Sequence, residues 1–369
     1  MREHCGITVR PKDLGDQHLR RWVRIARFEC RGTFVPFMHH DCIHNHIVAI
    51  RNRVLADVPQ PTKEGIKVLK KQARKLVRYL PRVSPDEWYV MPNLYRGAKR
   101  ARYIMATDNL LEGGLTQKHA QVTCFSKAEK LDSAGILKYP RAIQFRHAKY
   151  CVALAKYLKP CEHPMYRFKG DGRDFPATRL IGKGLSQAAR AKLLVRKLKA
   201  FSAPRIVSLD ATKFDLHVSL ELLQIEHWVY LQMCSGYQEF DKLLKWQLHN
   251  EGFTRTGVRY RTRGGRMSGD MNTALGNCVL MILMVSAFMA GRKYDILDDG
   301  DDCLLIVEEE ELEWVCQNVH RVFLTFGMEI KVENIASTIE NVEWCQSHPV
   351  QYAPGAYKFV RNPFKVFST

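Results

Sequence analysis

The segment Tyr294-Asp-Ile-Leu-Asp-Asp-Gly-Asp-Asp-Cys-Leu-Leu-Ile-Val307 packs four aspartates, Asp298, Asp299, Asp301 and Asp302, around one glycine and encloses them between two apolar runs. Apolar runs on either side of an Asp-Gly pair are the pattern of a β-hairpin, with Asp299-Gly300 near the turn. The chain must therefore fold around a buried sheet whose tip carries concentrated negative charge. Carboxylates this close repel unless a cation compensates, and their hard oxygens suit Mg²⁺ or Mn²⁺. A calcium loop does not fit, because with Gly300 at the glycine position Leu297 and Ile306 fall where ligating oxygens are required. A merely solvated acidic turn is the other alternative. Asp298 and Asp299, before the glycine, are expected to face solvent or to shape the turn.

The neighbouring segments supply the rest of a sheet. Arg205 to Leu209 reads as a buried strand that delivers Asp210 at its end. Val218, Leu222, Ile225, Val229 and Met233 then keep helical spacing. RYRTRGGRMSGDMNTALGN passes from a basic, glycine-containing loop into the apolar run Cys278–Gly291, too short for the ~20 residues of a membrane span and so a buried helix. Glu308 to Phe326 is amphipathic with Gly327 as its stop, and a short strand, MEIKVE, follows. The order strand, helix, helix, hairpin, helix, strand predicts an α+β sheet with helices packed on one face.

Charge is unevenly distributed. Residues 1–200 hold 41 Lys and Arg against 16 Asp and Glu, whereas residues 201–369 hold 16 against 22. A basic half serving an acidic centre suits an enzyme that handles nucleic acid with metal ions. Two basic helices are expected in the first half. In PTKEGIKVLKKQARKLVRYLP, Ile66, Leu69, Ala73, Leu76 and Leu80 form the apolar stripe, with Thr62 as cap and Pro81 as stop; the other covers residues 186–201. A solvated face and a phosphate-facing surface are both open for them. The 11 scattered cysteines and the charged start point to a reduced, intracellular protein.

Asp210 is followed at five residues by Asp215, and Ser268-Gly-Asp-Met-Asn-Thr273-Ala-Leu-Gly-Asn277 precedes Gly300-Asp301-Asp302. In this order the three segments resemble motifs A, B and C of the RNA-dependent RNA polymerases of positive-strand RNA viruses, of the tombusvirus-like kind. Glycine and two aspartates alone are weak evidence; three motifs in order, with the D-x4-D spacing and the full SGxxxTxxxN pattern, are strong. The resemblance implies a right-handed polymerase fold with fingers over 1–205, a palm over 206–350 holding a fingers insertion at about 235–262, and the start of a thumb at 351–369. The thumb would then be truncated and the chain a fragment.

The same resemblance implies the roles. Asp210, Asp301 and Asp302 would bind two Mg²⁺ or Mn²⁺ ions. Asp215 and Asn277, helped by Ser268 and Thr273, would recognise the ribose 2′-hydroxyl, which both donates and accepts. Reverse transcriptases carry a bulky aromatic where Asp215 stands, so the aspartate argues for ribonucleotides. Lys138, Arg141 and Arg146 resemble the basic motif F that lines the nucleotide channel, although Phe145 departs from the proline expected there. Lys331 falls in the region of motif D, where a lysine protonates the leaving pyrophosphate, or is an outward strand lysine. Trp344-Cys345-Gln346-Ser347 resembles motif E, with core packing as its alternative. Arg259, Arg261, Arg263 and Arg266 are expected on template or substrate phosphates. Cys42, His44 and His46 raise a zinc site, but their spacing matches no closed zinc pattern, so a packed element is the stronger expectation. Implied partners are template and nascent RNA, ribonucleoside triphosphates and other viral replication proteins, with a place at membrane-associated replication complexes in the host cytoplasm reached through other segments. The rival from another class is a non-catalytic RNA-binding replication or packaging protein, which leaves the motif order unexplained.

Overall fold

The computed structural model describes residues 6–12, 38–131 and 138–368. Its strands, numbered along the chain, form a five-stranded sheet, a four-stranded sheet and a separate hairpin. The four-stranded sheet is antiparallel throughout, in the order β7 (Tyr294–Asp298), β8 (Asp302–Glu308), β4 (Pro204–Ala211), β9 (Ile330–Ala336). The acidic hairpin, the strand ending near Asp210 and the strand in MEIKVE thus form where the sequence places them.

Helices lie on both faces of this sheet, not on one. Val207, Leu209, Ile296, Cys303, Leu305 and Val307 turn toward the core shared with helices Leu220–Met233, Thr273–Phe288 and Glu309–Thr325. Ile206, Leu297, Leu304 and Ile306 turn the other way, against helix Gln187–Leu198 and Val342, Trp344 and Phe359. The cause is visible in the strands. Leu304 to Val307 is apolar without interruption, which is the signature of a strand covered on both faces.

The basic helix Lys63–Leu76 begins as its sequence predicts, with Thr62 Oγ1 accepting from Gly65 N–H at 2.9 Å. Leu69, Ala73 and Leu76 sit in the large core while Lys67, Lys70, Lys71 and Arg74 remain exposed. Its start abuts the end of helix Glu309–Thr325 so closely that a Cβ on Gly65 would lie 2.1 Å from the Thr325 carbonyl oxygen. Helices from before residue 205 thus share the two cores that flank the four-stranded sheet, Lys63–Leu76 in one and Gln187–Leu198 in the other.

The five-stranded sheet runs β1 (Ile7–Val9), β6 (Val258–Arg263), β5 (His249–Phe253), β2 (Val122–Ser126), β3 (Ala142–Arg146). The hairpin β5–β6 leaves the four-stranded sheet between helices Leu220–Met233 and Thr273–Phe288 and joins N-terminal strands, β5 pairing with β2 in parallel. The segment that carries Lys138, Arg141 and Arg146 is in its second half the strand β3, paired antiparallel with β2. The C-terminal stretch forms the hairpin of β10 (Ser347–Ala353) and β11 (Ala356–Arg361), turning at Pro354-Gly355. A Pro-Gly pair between alternating residues is a hairpin signal that the sequence reading passed over. None of the described helices is long and apolar enough to cross a membrane.

Candidate active site

The antiparallel register sets Asp210 opposite Asp302 on one side and opposite Lys331 on the other. The turn between β7 and β8 closes with Asp299 N–H donating to the Asp302 carbonyl at 2.9 Å, and it requires φ = +103° at Gly300, which a residue with a Cβ rarely adopts. Ala211 N–H donates to the Asp301 carbonyl at 3.2 Å and ties this tip to the end of β4. Asp301 stands exposed at the tip, with Asp210 and Asp302 half-buried beside it. All three line an open cleft of about 700 Å³.

Burial, and then the charge of Asp301, push the Asp210 carboxyl above its ordinary range against the opposing pull of Lys331. Burial and the charges of Asp301 and Asp210 push Asp302 up to about 6. Among the described residues, no lysine or arginine forms an ion pair with any of the three. Grouped carboxylate oxygens without a paired cation, with the proton affinity of Asp210 and Asp302 raised, fit a hard divalent cation. No three His, Cys, Asp or Glu side chains among the described residues form a ready cage. Mg²⁺ needs none, since it binds through one or two carboxylates plus waters and substrate phosphates.

Asp215 and Asn277 line the same cleft, and Asn277 lies beside the turn, 3.4 Å from where a Cβ on Gly300 would stand. Asp215 lies in the one-turn helix Phe214–His217, entered through Lys213 at φ = +48°, and accepts from Asn277 Nδ2 at 3.4 Å. Ser268 and Thr273 also line the cleft, but both hydroxyls hold the loop that carries them. Ser268 Oγ accepts from Gln144 N–H at 3.1 Å, and the Thr273 hydroxyl donates to the Met267 carbonyl at 2.8 Å.

The basic residues divide. Arg141 lines the cleft. Lys138 is exposed outside it, with its carbonyl bonded to His39 Nε2 at 2.9 Å. Arg146 is 1% exposed and belongs to the frame, not to the cleft. It pairs with Asp270 at 2.7 Å and donates to Asn250 Oδ1 at 2.7 Å and to the Ala120 carbonyl at 2.6 Å. Strand alternation is the reason: β3 turns Gln144 and Arg146 inward together. Arg266 is likewise buried, paired with Glu226, whereas Arg259, Arg261 and Arg263 alternate outward along β6. Sequence reasoning missed Arg53, which ends helix Ile43–Arg53 and lines the cleft with a buried Nε that has no hydrogen-bond partner among the described residues. Burial and neighbouring Arg141 lower its proton affinity. One arginine in a strongly basic half carries no sequence signal.

The two aspartates before the glycine do not face solvent. Asp298 is fully buried, with Oδ1 accepting from Gly300 N–H at 3.1 Å, and burial raises its carboxyl far above the carboxylate range. Asp299 is clamped from behind by Lys183 at 2.5 Å and Arg190 at 2.7 Å. Trp344 stacks under Arg190, 5.0 Å from ring centroid to guanidinium, and donates Nε1–H to the Asp302 carbonyl at 3.1 Å. Cys345 and Gln346 follow at φ = +51° and +56°, a tight turn whose two residues line the cleft. Core packing and cleft lining therefore coexist in this segment. His46 commits both ring nitrogens, to Asp41 at 2.6 Å and to Thr256 at 2.7 Å, and is a packed residue with none left for a metal.

A family model described as viral RNA dependent RNA polymerase matches residues 44–369. The chain is 37% identical over 346 residues to the RNA-directed RNA polymerase of tomato bushy stunt virus (strain Cherry), covering 91% of this chain and 41% of that protein. It is 34% identical over 337 residues to that of groundnut rosette virus (strain MC1), covering 88% and 39%. It is 35% identical over 382 residues to that of tobacco necrosis virus (strain A), covering 99% and 52%. The chain thus spans about half the length, or less, of the curated relatives it matches.

Proposed function

We propose, for a chain that belongs to the viral RNA-dependent RNA polymerase family, that its cleft carries out template-directed addition of ribonucleotides to RNA in genome replication. The observation that carries this reading is the register that puts Asp210 against Asp302, with Asp301 at the adjoining tip and Asp215–Asn277 in the same cleft. The relatives named above are each RNA-directed RNA polymerases, which supports it.

Asp210, Asp301 and Asp302 would hold two Mg²⁺ or Mn²⁺ ions, which when bound supply activation of a 3′-hydroxyl and stabilisation of departing pyrophosphate. The chain's own groups do the rest. Asp215 accepts from the ribose 2′-hydroxyl while Asn277 Nδ2 donates to it, and Ser268 and Thr273 keep the loop beneath them in place. Arg141 and Arg53 face the triphosphate as fixed cations, and Lys138 stands further out as a point charge for approaching phosphate. Lys331, opposite Asp210, is the proton donor for the leaving group. In this reading the four-stranded sheet is the palm, the five-stranded sheet, which takes up the 249–263 hairpin, belongs to the fingers, and residues 351–369 belong to the thumb. Template and nascent RNA lie along the basic half, and other viral replication proteins bring the chain to membranes in the host cytoplasm.

The test is Mg²⁺-dependent, template-dependent incorporation of ribonucleotides by the purified chain. Asp301→Ala and Asp210→Ala each abolish incorporation and leave RNA binding within about twofold, since neither carboxylate attracts phosphate. Near-normal incorporation by Asp301→Ala would sink the reading.

A further inference from the structure

A buried ion pair stands directly behind Asp215 and Asn277 and has no part in the roles given so far. Glu226, in helix Leu220–Met233, is 0% exposed, and Arg266 is 2% exposed. Both terminal nitrogens of the Arg266 fork bond to the Glu226 carboxylate, one of them at 2.9 Å. The same carboxylate accepts from the Tyr230 hydroxyl at 2.9 Å and from Asn272 Nδ2 at 2.8 Å. The third guanidinium nitrogen, Nε, donates to Asn277 Oδ1 at 3.0 Å. The backbone N–H of Arg266 also donates to the Asp215 carbonyl at 2.9 Å, so one residue fixes both members of the pair in front of it.

The chemistry of this chain of contacts has one solution. A guanidinium carries only donors, so the amide atom facing Arg266 must be the Asn277 oxygen. The Asn277 NH₂ then has to face Asp215 and the cleft. A two-pronged bond to Glu226 prevents the fork from turning to allow the other orientation. The packing is made for this pair. A Cβ on Gly276, in the helix turn that carries Asn277, would lie 2.3 Å from Glu226 Oε1 and 2.5 Å from an Arg266 terminal nitrogen.

We propose that Glu226 and Arg266 are positioning residues that set the preference of this cleft for ribose over 2′-deoxyribose, by locking the Asn277 amide with its NH₂ toward the sugar. The proposal rests on the reading that Asp215 and Asn277 meet the 2′-hydroxyl. That hydroxyl has one proton to give, and it goes to Asp215, so its second partner must be a donor. A flipped amide would offer another acceptor and leave a buried polar group unpaired. The lock therefore contributes only when the 2′-hydroxyl is present.

The experiment compares kcat/KM for a ribonucleoside triphosphate and its 2′-deoxy counterpart in Arg266→Lys, which keeps the charge beside Glu226 but lacks the fork, and in Glu226→Gln. The expected result is a ribose preference reduced about tenfold, equivalent to about 1.4 kcal/mol, through loss on the ribonucleotide alone. In an Asn277→Ala background Arg266→Lys should lower the preference no further. Equal losses on both substrates, or an effect that adds in full to Asn277→Ala, would overturn the proposal. If Arg266→Lys loses its cooperative melting transition, Gly276→Ala displaces the pair without removing a charge and is judged by the same outcomes. A wild-type preference in Asn277→Ala removes the sugar-site reading itself. A reduced preference there with a wild-type one in Arg266→Lys removes the lock alone.

Discussion

Asp299 and Asp301 flank the same glycine, yet one is tied down and the other stands free. Lys183 and Arg190 both reach Asp299, while Asp301 is exposed at the tip of the turn. The clamp holds the back of the turn so that its front can carry unneutralised carboxylates. Asp299→Ala should therefore lower the rate of single-turnover incorporation about 100-fold, the scale of a misplacement near 1 Å, while RNA binding is retained. An unchanged rate would show that β7 and β8 alone aim the tip. His227 makes a different prediction at the same scale. It is buried, donates Nε2–H to Gln247 Oε1 at 3.1 Å, and burial pushes its imidazole down to about 4. The unfolded chain takes up that proton near pH 6.5 and the folded chain only near 4. Its contribution to stability is thus complete above about pH 6.5 and is lost on acidification toward 4, on the order of 3 kcal/mol. Urea midpoints measured from pH 7 to 5 should fall, and His227→Gln should flatten that slope.

Among the elements, β3 shows what strand geometry does to charge. It lies one step from the basic residues of the cleft, but alternation turns Arg146 into the interior, where it joins β3 to Asn250 of β5 and to Asp270 before helix Thr273–Phe288. Arg146→Ala leaves Asp270 buried without its counterion and should cost about 3–5 kcal/mol of stability. A thermal midpoint unchanged from the wild type, with activity lost, would instead place Arg146 on substrate. Much of the element plan was legible in sequence, because apolar periodicity reports which faces are covered. Helix Lys63–Leu76, strand β4 and the β7–β8 hairpin follow their patterns closely. The covering of the second sheet face was legible only in the uninterrupted run Leu304 to Val307, and the final hairpin only in Pro354-Gly355.

For the molecule as a whole, the excess of cations in residues 1–200 sets its behaviour toward polyanions. On helix Lys63–Leu76 the exposed Lys67, Lys70, Lys71 and Arg74 leave the apolar side to the core. Binding of single-stranded RNA should weaken steeply with salt, by about 0.7 in log affinity per log salt for each phosphate neutralised. A log–log slope of about −3 or steeper in filter binding between 50 and 200 mM salt, on the order of four or more phosphates, is the expected result. A slope near zero would leave the charge asymmetry as a matter of solubility.

The sequence by itself determined the acidic hairpin, the strand that brings Asp210 to it, the helices whose apolar stripes face inward, and the order of the segments that name the family. These are local patterns, and the hydrophobic effect acts on them wherever the chain goes. Only the tertiary structure decided what each charge is for. Asp298 is enclosed, Asp299 is clamped, Arg146 and Arg266 are turned inward, and Arg53 arrives at the cleft from a helix more than 150 residues before Asp210. Burying a charged side chain is costly unless a partner meets it, and for Arg146 and Asp270 that partner is 124 residues away along the chain. No periodicity in the sequence records such a meeting, because it exists only once the strands have paired.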